Sequence, residues 1–211
     1  LRLYDNPAFA HSAKDRILPL FILDDQESYH QASASKWWLY KSLSSLKKSL
    51  KAHGLELVLR RGDPLKIFQE LIASHKISGL YWNRCYDPYG IARDKKIKEF
   101  FKPALDCQSF NASLLTEPWV LKTQAGTPYQ IFTSYWKALK SLGNLEDPFA
   151  LPLNINGSEE PIASDNLESW GLHPTSPDWS QGLEKAWTPG EEEAKKKLSL
   201  FLKKGIRTYH K

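Results

Sequence analysis

The chain has 211 residues, 41% of them hydrophobic, and a net charge of +5 from 29 basic and 24 acidic side chains. That length admits one domain with a full core, or one domain and part of a second. The mild positive charge is weak evidence for a polyanion partner. Cys85 and Cys107 are too few for a disulfide framework or a zinc site and read as reduced core thiols. No apolar run is long enough to cross a bilayer and none reads as a signal peptide, so a cytoplasmic protein is expected.

In chain order, residues 16–23 form an apolar run ending at Asp24-Asp25, which predicts a buried strand. Leu39, Leu43, Leu46 and Leu50 have helical spacing within 33–53, and Gly54 is a natural stop. A second strand is expected over 55–60. Asp63 and Pro64 read as the N-cap and first turn of a helix with Leu65, Phe68, Leu71 and Ile72 on its apolar face. A strand over 77–83, a helix from about Gly90 to Lys102 and a strand over 105–110 follow. This alternation predicts a parallel sheet with right-handed crossovers.

From 112 to 137 the pattern is loop with embedded aromatics, and 138–186 is rich in Pro, Gly, Asn, Ser and Asp, as in an interdomain connection. Thr188, Pro189 and Glu191 predict a capping box opening a helix whose stripe is Ala194, Leu198, Phe201 and Leu202. That stripe needs a partner surface. The chain has no methionine and starts abruptly at Leu1, so a fragment is expected. Eight tryptophans are expected to fill cores.

Several motifs together resemble the DNA photolyase and cryptochrome family. Leu1 to Ala8 (LRLYDNPA) resembles the family's DLRLxDNPAL, and Ser35 to Leu39 (SKWWL) its SRWWL, with Lys36 for Arg. Arg61 to Pro64 (RGDP), Asn83 to Tyr89 (NRCYDPY), Ala92-Arg93-Asp94, Glu117-Pro118-Trp119, Gly126 to Lys137 and Pro177 to Phe201 continue it in order.

The resemblance implies an α/β, Rossmann-like three-layer α/β/α domain over 1–130, with parallel strand order 3-2-1-4-5 and the first strand missing before Leu1. It implies a connector over 131–186 and the start of an all-helical FAD-binding domain over 187–211. It further implies a deoxyribodipyrimidine photolyase, in which excited reduced FAD donates an electron that splits a pyrimidine dimer flipped out of damaged DNA. On this resemblance the fragment itself is expected to be inactive, and the complete protein to be a monomer without membrane attachment. The alternatives are a cryptochrome-type photoreceptor and a stand-alone nucleotide-binding module.

Ligands of open parallel sheets bind beyond the strand carboxyl ends, at the switch in strand order. In the order that the resemblance implies, the residues there are Asp24, Lys36, Asn83, Tyr86, Asp87 and Tyr89. Tyr86 and Tyr89 can stack on a flat heteroaromatic antenna, Asn83 and Asp87 can hydrogen-bond it, and Lys36 can meet an anionic tail. Singly, each reads more simply as an ion pair or a packed ring; as a crevice they read as a binding site. The antenna that the resemblance implies is a deazaflavin, a flavin or methenyltetrahydrofolate, or else the pocket is empty. Tyr89-Gly90 stands where folate-type relatives carry Asn-Glu, which disfavours folate. Tyr209 matches a tyrosine near the FAD phosphate, or is an exposed terminal tyrosine. There is no GxGxxG, P-loop or GxSxG motif, and His11, His30, His53, His75 and His173 are expected at the surface without metal-ligand spacing.

Overall fold

The computed structural model describes residues 1–27, 33–143 and 146–209. Its helices are α1 (Pro7–Ser12), α2 (Ser33–Ala52), α3 (Pro64–Ser74), α4 (Pro88–Phe101), α5 (Phe132–Ser141), α6 (Gln181–Ala186) and α7 (Glu191–Leu200). Its strands are β1 (Arg16–Ile17), β2 (Leu20–Leu23), β3 (Val58–Arg61), β4 (Gly79–Asn83), β5 (Asp106–Phe110) and β6 (Asn156–Gly157). The pairs β1–β6, β2–β3 and β4–β5 are all parallel. Parallel ladders with intervening helices are the α/β architecture expected from 16 to 111. Each of the three pairs stands as a two-stranded sheet.

The chain divides into two compact units. The first comprises Leu1–Leu3, Ser12–Ile77 and Pro152–Lys211. The apolar run at 16–23 is two short strands here, because Pro19 has no N–H to continue a ladder; its carbonyl instead accepts the Val58 N–H at 2.9 Å. Helix α2 buries Trp37, Leu43 and Leu50. It ends as expected at Gly54, whose φ of 74° is easy only for glycine. The Gly54 and Leu55 N–H groups close on Lys51 and Leu50 carbonyls at 3.0 Å each, and Leu50 and Leu55 are both buried. Asp63 caps α3 as expected, its Oδ1 accepting the Leu65 N–H at 2.9 Å.

The segment expected to be an interdomain connection contributes β6, a 3₁₀ turn at Leu167–Trp170 and α6 to this unit. Leu167, Trp170 and Leu172 are buried. Helix α7 has Gly190 at its N-cap, not the Thr188 of the expected capping box. Gly190 takes φ 130°, and Glu191 spends Oε2 on the Leu3 N–H at 2.7 Å. The stripe residues Leu198, Phe201 and Leu202 are exposed.

Carboxylates held by neighbouring groups make this unit pH-sensitive. Lys41 ion-pairs with Glu184, and His173 Nε2 lies 3.4 Å from the same carboxylate. Lys41 first, then His173, holds Glu184 below its ordinary pKa, and Ser180 hydrogen bonds do the same for Asp178. A carboxylate depressed in the folded state adds stability above its unfolded pKa and loses it as pH falls through the folded value. The urea midpoint is therefore expected to hold steady from pH 7 to about pH 5 and to fall below about pH 4. Asp178→Asn should flatten that fall, as read by denaturation at stepped pH.

The second unit comprises Tyr4–His11 and Ser78–Leu151. Strands β4 and β5 run in register from Gly79↔Asp106 to Asn83↔Phe110. Leu80, Ile97, Phe101, Cys107 and Leu139 are buried. Helix α5 lies where loop was expected; its turn-forming flanks mask the spacing of Phe132, Trp136, Leu139 and Lys140. Only Trp37 and Trp170 of the eight tryptophans are buried, so the expectation that they fill cores is corrected for most of them. Cys107 is a buried free thiol as expected, whereas Cys85 is half-buried.

Candidate functional site

The residues singled out at strand ends fall into both units. In the first, Asp24 follows β2 and is 2% exposed. Its Oδ1 accepts the Gln26 N–H at 3.0 Å and its carbonyl accepts from Glu27 at 3.1 Å, so the carboxylate shapes the turn. Asp25 receives the Arg61 guanidinium in a forked contact, Nε at 3.0 Å from Oδ2 and Nη2 at 2.9 Å from Oδ1. These bonds raise the Arg61 pKa and tie the end of β2 to the end of β3. Lys36 is half-buried in the first turn of α2. Tyr209 is 75% exposed, its ring edge-on to Phe201 at 5.8 Å.

The structure brings Asn83, Tyr86, Asp87 and Tyr89 together on one segment of the second unit, between β4 and the start of α4. Asn83 is bound inside the protein. Its Nδ2 donates to Asn6 Oδ1 at 2.8 Å and its Oδ1 accepts the Ala8 N–H at 3.3 Å. The Asn6 side chain also accepts the Phe9 N–H at 3.1 Å, at the head of α1. The sequence Asp5-Asn6-Pro7-Ala8 is thereby pinned to the end of β4.

Asp87 caps α4. Its Oδ1 accepts the Gly90 N–H at 2.8 Å, and Pro88 takes the first helical position, so α4 starts two residues before its expected start at Gly90. A Cβ on Gly90 would stand 2.5 Å from Cys85 Cβ and 2.6 Å from Asp87 Oδ2. Gly90→Ala is expected to cost about 1–3 kcal/mol through this overlap. A longer side chain at 90 would have to open the turn; urea denaturation of the Ala and Glu variants checks both statements.

Arg84, which the sequence reading did not single out, is the hub. Its Nη2 donates to the Ser109 carbonyl at 2.7 Å, its Nη1 ion-pairs with Glu117, and its guanidinium lies 5.4 Å from the Trp119 ring centroid. The Tyr86 hydroxyl donates to the other Glu117 oxygen at 2.9 Å. Burial, then the Glu117 hydrogen bond and charge, raises the Tyr86 pKa, so the phenol stays a donor. Arg93 grips Asp94 at 3.0 Å, Asp94 accepts the Trp82 indole N–H at 3.0 Å, and the Arg93 guanidinium sits 6.0 Å from the exposed Tyr89 ring. The only signal for Arg84 and Glu117 in the sequence was their place inside the two motifs NRCYDPY and EPW.

Of the histidines expected at the surface, His11, His75 and His173 are half-buried. His11 packs on Tyr81 and Phe110, each at 5.1 Å, while His75 Nδ1 lies 3.6 Å from Glu160 and His173 Nε2 3.4 Å from Glu184. His53 is exposed as expected, and His30 lies outside the described residues. Among the described residues no His, Cys, Asp and Glu group has a metal-holding arrangement, and no helix is long and apolar enough to cross a membrane.

The sequence profile of the family described as DNA photolyase matches residues 1–152. A deoxyribodipyrimidine photo-lyase of Agrobacterium fabrum is 35% identical over 99% of this chain and 44% of its own length. Cryptochrome-2 of Arabidopsis thaliana is 32% identical over all of this chain and 36% of its own. Among solved structures, a bacterial class III photolyase from Agrobacterium tumefaciens superposes with a TM-score of 0.90 at 35% identity, over 96% of this chain and 42% of that one. The chain thus spans less than half the length of these relatives. A profile match over most of its length, with motifs that build the two strand ends, means that the chain belongs to the DNA photolyase family.

Proposed function

We propose that this chain is the antenna-holding part of a light-driven DNA repair enzyme of the cytoplasm that splits cyclobutane pyrimidine dimers. The observation that carries the reading is the 35% identity to a deoxyribodipyrimidine photo-lyase along 99% of the chain, with the fold superposing at a TM-score of 0.90. Reduced FAD, when bound, supplies the electron for ring splitting. The division into an α/β part (1–130), a connector (131–186) and the start of a helical part (187–211) belongs to the same proposal, as does Tyr209 as a flavin contact.

The antenna residues of this proposal are Asn83, Tyr86, Asp87 and Tyr89 in the second unit, of which Tyr89 is exposed, and Asp24 and Lys36 in the first. The fit is partial, because both polar side-chain atoms of Asn83 and the Oδ1 of Asp87 are already hydrogen-bonded within the protein. The lack of room for a side chain at Gly90 supports a deazaflavin or flavin over a folate that needs a carboxylate there.

The second reading, a blue-light receptor without repair, rests on the 32% identity to a plant cryptochrome. The test is loss of thymine dimers from irradiated DNA under blue light, using the full-length gene product. Light-dependent repair is expected; no repair with FAD bound would favour the receptor.

A further inference from the structure

In the first unit, β6 consists of Asn156 and Gly157 and runs parallel to β1, with Arg16 opposite Asn156 and Ile17 opposite Gly157. The ladder is two residues long, and Asn156 is exposed. Pairing this short opens far more often than the whole domain unfolds. The dipeptide itself is reactive when open. A backbone amide nitrogen can attack the side-chain carbonyl carbon of the asparagine before it. Glycine, with no Cβ, neither shields that nitrogen nor restricts the backbone angles that ring closure needs.

No other asparagine among the described residues is placed this way. Asn6 precedes Pro7, which has no N–H. Asn154 precedes Ile155, whose branched Cβ crowds its own nitrogen. Asn83, Asn111 and Asn166 precede Arg84, Ala112 and Leu167, and their Oδ1 atoms already accept backbone hydrogen bonds. We propose that Asn156-Gly157 is a site of spontaneous deamidation, and that its isoaspartate product releases β6 from β1. The Gly157 nitrogen loses its proton to solvent base and bonds to Asn156 Cγ. The Cγ–Nδ2 bond breaks, and the nitrogen leaves as ammonia, closing a five-membered imide. Water then opens the ring. Attack of water at Cγ leaves aspartate. Attack at the main-chain carbonyl carbon leaves isoaspartate, in which the main chain runs through Cγ and is one carbon longer.

The two products differ in consequence. Aspartate puts a carboxylate opposite Arg16, whose Nη1 donates to the Gly157 carbonyl at 3.4 Å and which ion-pairs with Glu159, so the new charge meets a cation and the pairing survives. Isoaspartate moves Gly157 out of step with Ile17, which is 7% exposed and loses its partner. The shifted backbone also meets buried Leu55, whose Cδ2 lies 3.2 Å from where a Cβ on Gly157 would stand. Downstream the segment stays tied to β3. Ser164 Oγ accepts the Leu59 N–H at 2.9 Å, and the Leu59 carbonyl accepts the Asp165 N–H at 2.8 Å, so the release is local.

The test is peptide mapping by mass spectrometry of the 211-residue chain after incubation at mildly alkaline pH, with isoaspartate scored by enzymatic methylation. Amide loss at Asn156 is expected to run at least about tenfold faster than at Asn154. Asn156→Gln should suppress it, because the ring would need a sixth member. Hydrogen exchange on the isoaspartate fraction, separated by ion exchange, reads the consequence. Protected amides within residues 16–18 and 156–158 should exchange about tenfold faster or more in that fraction. Asn156→Asp carries the charge without the extra carbon and should match the unmodified chain. Equal rates at Asn156 and Asn154 would overturn the site. Unchanged exchange in the isoaspartate fraction, or the same rise in Asn156→Asp, would overturn the release of β6.

Discussion

Trp37→Ala is expected to lower the unfolding free energy by about 3–5 kcal/mol, the largest loss from any single truncation in the first unit. Trp37 is 1% exposed and anchors α2 together with Leu43 and Leu50. Its removal deletes the largest fully buried side chain in the chain's described part and leaves a cavity that the helix can only partly close. Trp37→Phe should cost far less, below about 1.5 kcal/mol. The indole Nε1 is buried without a hydrogen-bond partner among the described residues, so replacing it with a hydrocarbon ring removes an unsatisfied donor along with some volume. Urea denaturation of the two variants separates cavity from polarity. A loss under about 1 kcal/mol for Trp37→Ala would mean that α2 is not held by this residue.

Arg84→Met is expected to cost about 2–3 kcal/mol, somewhat under the loss typical of a fully buried pair because both partners keep some contact with water. Met keeps the aliphatic stem, so the loss reports the guanidinium. Glu117 would then sit in a largely enclosed site with only the Tyr86 hydroxyl to offset its charge. The Ser109 carbonyl would also lose its donor. Glu117→Gln should be milder, since an amide oxygen still accepts from Tyr86. Additive losses in a double-mutant cycle would show that the two residues do not act as one hub. A crystal structure of Arg84→Met is the complementary check: the segment from Asn111 to Trp119 should shift, while β4–β5 stays in register.

What the sequence revealed and what it hid divide along physical lines. Local rules found α2, its Gly54 stop, and the Asp63–Pro64 start of α3, because helix signals are written within a few residues of each other. The parallel pairing of β2 with β3 and of β4 with β5 followed from strand–helix alternation. Pro19 broke a strand that hydropathy alone made continuous, and α5 hid behind turn-forming neighbours. The Thr188 capping box failed for a longer-range reason: Leu3, far away in sequence, occupies the Glu191 carboxylate.

The candidate site shows the same limit. The sequence identified Asn83, Tyr86 and Asp87 as chemically able to bind a ligand, but not which of their atoms are already engaged. Asp87 is a helix cap, and Asn83 fastens the segment that begins with Asp5. Arg84 and Glu117 were unreadable as a pair because nothing local links residues 33 positions apart. Physical patterning gave the architecture, whereas only the ordered motifs gave the family, which the profile match over residues 1–152 then established.

The most direct test of the proposed antenna role is an action spectrum of dimer repair by the full-length gene product, wild type against Tyr89→Ala. The account predicts a second band beside that of reduced flavin, diminished in Tyr89→Ala while the flavin band persists. A wild-type spectrum that follows the flavin alone, unchanged by the substitution, would contradict it.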